Sequence, residues 1–176
     1  GYDKVASRQR NMHLGNPENG EKLRFGNKRG IPTYNEGGRG ETFLGIDMTA
    51  SLIAAYQSYS EILELQGKTN DAEKFENLAI REQQFLNDFW WDSEKQEYRS
   101  ILYADKTLDY FMVGDNQAFL HYILYYNAIS DAEKISGLVE AYIANYNKLI
   151  VELKSYLPII FYENERSDIA NKMIIE

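Results

Sequence analysis

Several short stretches put side chains able to do chemistry close together. The first is GYDKVASRQR at positions 1–10, where a Gly, an aromatic, Asp3 and Arg8 cluster before any regular structure begins and read like the lining of a pocket. YNEGGRGE follows at 34–41. Its glycines let backbone approach a ligand and leave Glu36 accessible as a catalytic or ligand-binding carboxylate, with Arg39 beside it. As a plain turn residue, Glu36 needs no such role. Asp47 stands at the start of a helical pattern, where it reads equally as an N-cap and as a ligand contact at a pocket rim. Gly114-Asp115-Asn116-Gln117 opens a strongly apolar segment, so Asp115 and Gln117 would lie at a helix mouth, Asp115 or Asn116 also serving as a cap. Trp90 and Trp91 form an aromatic pair that could stack on a ligand or anchor packing. His121 has no second His or carboxylate at ligand spacing and reads as a satisfied core residue, so no metal site and no cofactor are expected.

Composition narrows the partner. Among 176 residues the net charge is -8, which disfavours nucleic acid and an anionic membrane surface, both of which need basic protein. Fourteen Tyr and eight Phe exceed what packing alone requires, and Tyr can line a wet cleft for a neutral polar ligand. The lack of Cys excludes disulfides, zinc–thiolate sites and thiol catalysis. It leaves the compartment open, the periplasm and the exterior included. No apolar run is long enough for membrane insertion. GxSxG, Walker A, GxGxxG and HExxH strings do not occur.

The elements that must position these residues change character along the chain. Positions 1–45 are rich in turn signals; positions 1–40 hold eight of the twelve Gly, two of the three Pro, and eight basic against four acidic side chains. The spacing of Met, Leu, Phe, Ile and Tyr within this segment favours an ordered functional loop packed over one end of the helices. From residue 46 the period becomes helical: Ile46, Ile53, Tyr56, Ile62 and Leu63 share a face, and Gly67 stops the helix. Asn70 with Glu73 predicts the cap of a second helix, striped by Ala72, Phe75, Leu78, Ala79, Phe85, Leu86 and Phe89. WWDSEKQEYRSILY reads as a tight turn and a short extended piece. A nearly all-apolar helix is predicted over 117–129, and a capping box at Ser130 and Glu133 starts the next, to about Tyr146. Ser155 is expected to cap a third apolar helix with Pro158 in its first turn, and Ser167 to open its partner. The fold class is therefore all-α: helical hairpins over 46–176, each pairing a more apolar with a more amphipathic helix. Hairpin starts near 46, 115 and 155 are unevenly spaced, which suits a two-layer toroid better than a superhelix of repeats.

The segment IDMTASLIAAYQSYSEILELQGKTNDAEKFENLAIREQQFLNDFWWDSEKQEY resembles the six-hairpin (α/α)6 glycosidases, a group that includes trehalases, processing α-glucosidases and, more distantly, α-L-rhamnosidases. Their V-D-L-N-like helix start is similar to Ile46-Asp47-Met48-Thr49, and their W-[DN]-x-E-x-x-x-[YF] turn to Trp91-Asp92-Ser93-Glu94 with Tyr98. The likeness covers roughly 40–100, and the rest by hairpin rhythm. The general acid of the trehalase-like enzymes is the Asp of a G-x-D motif upstream of this helix, followed by an Arg. Gly1-Tyr2-Asp3 with Arg8 is similar, the Arg lying somewhat further off. Asp3 beside a terminus also reads as a solvated carboxylate.

The resemblance implies about half of an (α/α)6 toroid and inverting hydrolysis of glycosidic bonds in oligo- or polysaccharides. Asp3 or Glu36 would be the catalytic carboxylate, and Arg8, Arg39, Asp47, Trp91, Asp115 and Gln117 would hold the carbohydrate substrate. It also implies a domain cut at both ends, its catalytic base beyond residue 176 and its other partner the rest of the same polypeptide, so the isolated chain is expected to be inactive. The rival readings are a non-catalytic helical-repeat module for a protein or peptide, and a toroid-type polysaccharide lyase, whose Tyr or His base and basic groups the acidic balance disfavours.

Overall fold

The long helical period after residue 46 becomes helix α1, Ile46–Leu65. It ends as Gly67 requires: with φ at +72°, the Lys68 amide reaches back to the Leu63 carbonyl at 2.9 Å and the Gly67 amide to Glu64 at 2.8 Å. Helix α2, Thr69–Trp90, starts directly out of this turn, its Asp71 and Ala72 amides donating to the Lys68 carbonyl. The predicted cap Asn70 therefore lies inside the first turn, because the helix begins two residues earlier, with Lys68 at the N-cap position straight after Gly67. Antiparallel packing follows from the pairings: Tyr56 and Tyr59 meet Phe75, and buried Ser60 Oγ donates to the Ala72 carbonyl at 2.8 Å. Of the predicted α1 face, Ile62 turns out to be exposed.

The structure, a computed structural model, describes residues 42–44, 46–104, 107–111, 113 and 119–175. Six α-helices make these described residues mainly helical, but two small antiparallel sheets among them depart from a purely α fold. The larger has the order β1 (Thr42–Leu44), β4 (Ser100–Ala104), β5 (Thr107–Phe111), with Thr42 opposite Tyr103 and Ser100 opposite Phe111. The smaller is the hairpin of β2 (Trp91–Asp92) and β3 (Glu97–Tyr98), with Trp91 opposite Tyr98. Where sequence suggested one extended piece after the Trp pair, alternating apolar and polar residues pair into strands on both sides of a short turn. Pairing of β1 with β4 gathers the start of α1 and the end of α2 at one end of the helical hairpin.

Helix α3 is His121–Tyr125, much shorter than the predicted 117–129. Phe119 and Asn127, both at positive φ, bracket it, and the Ala128 amide closes onto the Ile123 carbonyl at 2.9 Å. As expected of an inner helix, His121, Tyr122, Ile123 and Leu124 are all buried. Helix α4, Ala132–Asn145, is capped by Asp131 and not by Ser130: its carboxylate accepts from the Glu133 and Lys134 amides at 3.0 and 3.1 Å. Helix α5, Val151–Glu163, begins earlier than predicted, so Ser155 and Pro158 are internal. Ser155 Oγ donates to the Glu152 carbonyl at 2.6 Å, satisfied within the helix and free of any capping duty. Helix α6, Ser167–Ile175, starts where expected and packs back on α5. A single core joins Ile46, Ile53, Trp90, Ile123, Tyr142, Leu157 and Phe161, from five of the helices.

Candidate functional site

Asp47 occupies the second residue of α1, within the first turn and not before it, and is only 8% exposed. α1 packs on α3, and α3 on α5. This brings Asp47 toward a group of tyrosines. The Tyr122 and Tyr156 hydroxyls lie 3.3 Å apart; the Tyr122 and Tyr126 rings stack at 5.7 Å; Tyr125 meets Tyr156 edge-on at 5.0 Å and Tyr126 at 5.1 Å. Tyr122 is buried, Tyr126 and Tyr156 are half-buried, and Tyr125 reaches solvent. The assembly opens from a dry interior to a wet rim.

Burial is the main reason the Tyr122 hydroxyl is pushed far above its ordinary pKa, followed by the hydrogen bond with Tyr156; the Asp47 charge adds to it. The Tyr126 hydroxyl is raised by burial first, with Tyr125, Tyr156 and Asp47 contributing. These hydroxyls stay protonated at neutral pH and act as hydrogen-bond donors, not bases. A carboxylate acceptor, tyrosyl donors and aromatic faces at one spot suit the hydroxyls and C–H faces of a neutral ligand.

His121 lies against this group, its ring 4.1 Å from Tyr122, 5.0 Å from Tyr156 and 6.3 Å from Tyr142 by centroid. It is a core residue, 1% exposed, but not a satisfied one: neither ring nitrogen has a hydrogen-bond partner among the described residues, and burial lowers its pKa to about 3. Burial pushes the Tyr142 hydroxyl far above its ordinary pKa, the neighbouring His121 backbone acting weakly in the other direction. Thr49 Oγ1, one turn along from the start of α1, is likewise fully buried without a partner among the described residues. Unmet polar groups of this kind are costly and concentrate where strain or function resides.

Trp91, the other predicted contact within the described residues, shares the Asp47 end of the α1–α2 hairpin but has different neighbours. The Lys134 ammonium sits over its ring, and Tyr98 meets it at 4.9 Å. Its motif partners have local structural work. Asp92 Oδ1 accepts from the Lys95 and Glu94 amides at 3.1 Å each, and Oδ2 pairs with Arg99 at 3.3 Å; these contacts, led by the Lys95 amide, hold its carboxyl below the usual range. The Tyr98 hydroxyl donates to Asn87 Oδ1 at 2.6 Å.

Asp3, Arg8, Glu36, Arg39, Asp115 and Gln117 lie outside the described residues. So does the segment 1–40 predicted to cover the helix ends. Among the described residues no three His, Cys, Asp or Glu side chains gather as a metal site, and no helix is long and apolar enough to cross a membrane. Reading the sequence did not single out Tyr122, Tyr126 and Tyr156; the unusual Tyr count, and the YY pair at 125–126, were the available signals. No family model matches the chain, and neither a curated protein nor a solved structure does.

Proposed function

We propose that the chain forms part of the catalytic domain of an (α/α)6-toroid glycoside hydrolase, inverting in mechanism, and that the Asp47–tyrosine group holds hydroxyls of a neutral oligo- or polysaccharide. The observation that carries this reading is the packing of α1 on α3, which sets the Asp47 carboxylate near enough for its charge to act on the hydroxyls of Tyr122, in α3, and Tyr126, just after it. Polar groups from two core helices converge there beside aromatic surface, as a sugar site at inner-helix ends requires. The charge of -8 and the protonated tyrosines favour a neutral sugar over a uronate, and so hydrolysis over lyase chemistry. In this reading Asp3 or Glu36 supplies the proton to the leaving oxygen, and a second carboxylate activates water on the opposite face of the sugar.

Calorimetric titration of the chain with neutral oligosaccharides tests the binding half of the proposal. Asp47→Asn and Tyr126→Phe are expected to weaken binding at least about tenfold while leaving the circular dichroism unchanged, the scale of one lost charged hydrogen bond. Unaltered affinity in both variants, or binding of peptides with no binding of sugars, overturns it.

A further inference from the structure

The β2–β3 hairpin and the start of α4 enclose a cleft of about 370 Å³ that neither Asp47 nor the tyrosine group lines. Its size falls near the small end of ligand clefts, roughly 300 to 1,000 Å³. That is room for one or two sugar rings and not for a long polymer.

Gly137 forms part of the wall, in the interior of α4. Among the described residues a Cβ there would meet nothing within 4 Å, and its backbone conformation is not one that demands glycine. Glycine inside a helix costs about 1 kcal/mol relative to alanine, and packing gives no return for it. What the missing side chain does provide is open space and bare helix surface within the cleft.

The polar lining selects the ligand. Lys134 is fixed rather than waving: its Nζ lies 4.6 Å over the Trp91 ring and 3.0 Å from Asn87 Oδ1. With Lys95 it faces three carboxylates, Glu97, Asp131 and Glu133, so the wall is nearly balanced in charge and suits neither a phosphate nor a polyanion. The amides at the start of α4 offer no anion seat, because Asp131 already takes those of Glu133 and Lys134. Ammonium donors, carboxylate acceptors and the Trp91 and Tyr98 rings together match a neutral molecule rich in hydroxyls with C–H faces.

We infer that this cleft is a second saccharide-binding site, taking one or two neutral sugar residues at a distance from the chemistry. The inference rests on the carbohydrate reading of the chain and deepens it, since a secondary site of this kind would hold a substrate chain beside the catalytic one.

Titration of the full chain with maltose and with cellobiose, followed by amide and indole NMR shifts, is the test. The expected result is saturable shifts at the Gly137 amide and the Trp91 indole. Gly137→Leu should weaken this binding at least tenfold with an unchanged or higher melting temperature, Gly137→Ala should weaken it less, and Asp47→Asn should leave it intact. Equal affinity in Gly137→Leu, or shifts confined to the tyrosine group and lost in Asp47→Asn, overturns the second site and leaves the proposed function standing. Absence of any sugar-dependent shift overturns both.

Discussion

The Lys134 ammonium is held between the Trp91 ring, 4.6 Å away, and Asn87 Oδ1, 3.0 Å away, so one side chain of α4 joins the β2–β3 hairpin to α2. Asn87 also accepts from the buried Tyr98 phenol, which makes the amide the hub of the contact. Lys134→Met keeps the aliphatic stem and removes the charge. Urea unfolding should show a loss of about 1 kcal/mol, the scale of a half-buried cation–π contact, with a shift in Trp emission.

Three helices end in the same turn with three different residues at the left-handed position: Gly67, Asn127 and Glu165, the last with the Arg166 amide 2.7 Å from the Phe161 carbonyl. Only glycine adopts this conformation without strain. Gly67→Ala is expected to cost about 1 kcal/mol despite the open space around it, whereas Glu165→Gly and Gly137→Ala should each stabilise by about 0.5 to 1 kcal/mol. Chemical denaturation of the three variants gives the signs directly.

The His121 ring makes stability depend on acid in a defined direction. Its pKa is near 6.5 in the unfolded chain and about 3 in the fold, because burial among Tyr122, Tyr142 and Tyr156 disfavours the imidazolium. Below pH 6.5 the unfolded chain therefore takes up a proton that the folded one refuses, and stability falls by about 1.4 kcal/mol per pH unit toward pH 3. Above 6.5 the residue contributes no slope. Between pH 7 and pH 5 the wild type should lose about 2 kcal/mol more than His121→Phe in urea unfolding. Parallel pH profiles of the two proteins would count against the depressed pKa.

On the proposed catalytic reading, the acid is assigned by comparing two substitutions in a chain that carries the whole domain. Asp3→Asn should cut turnover by a factor on the order of 100 or more with folding intact. Full activity in Asp3→Asn together with loss in Glu36→Gln moves the acid to the glycine-flanked loop, and indifference to both removes the two assignments.

The helical period of 46–65 and the glycine at 67 were legible because each is a local signal: a repeating apolar face, and a residue without Cβ where φ must be positive. The ends of α3 and α5 were not: Asn127 is a residue type that tolerates the left-handed conformation but sits inside an apolar run that reads as continuous helix, and Glu165 adopts it with no residue-type signal at all. Capping chemistry was found in kind and missed by one position at Ser130, because Asp131 competes for the same amides and its carboxylate accepts more strongly. Asp47 could be picked out as a polar group at a helix start. Its tyrosine neighbours could not, since Tyr122 and Tyr156 come together only through the packing of α3 on α5. The same holds for Lys134 and Trp91, whose meeting depends on how α4 lies across the hairpin.

The register that sets Thr42 opposite Tyr103 also fixes an order of assembly. Every residue of the α1–α2 hairpin lies between those two strands, so as long as the hairpin is unfolded, bringing β1 to β4 must close a long flexible loop and bear its entropy. Contacts within the hairpin are local and form fast, and once made they shorten that loop to a few flexible residues at one end of a rigid pair. Helix formation should therefore precede strand pairing in refolding, with β1 and β4 joining as a late step gated by the helices. A substitution that slows the turn at Gly67 would then delay a sheet on the far side of both helices, in which it makes no contact.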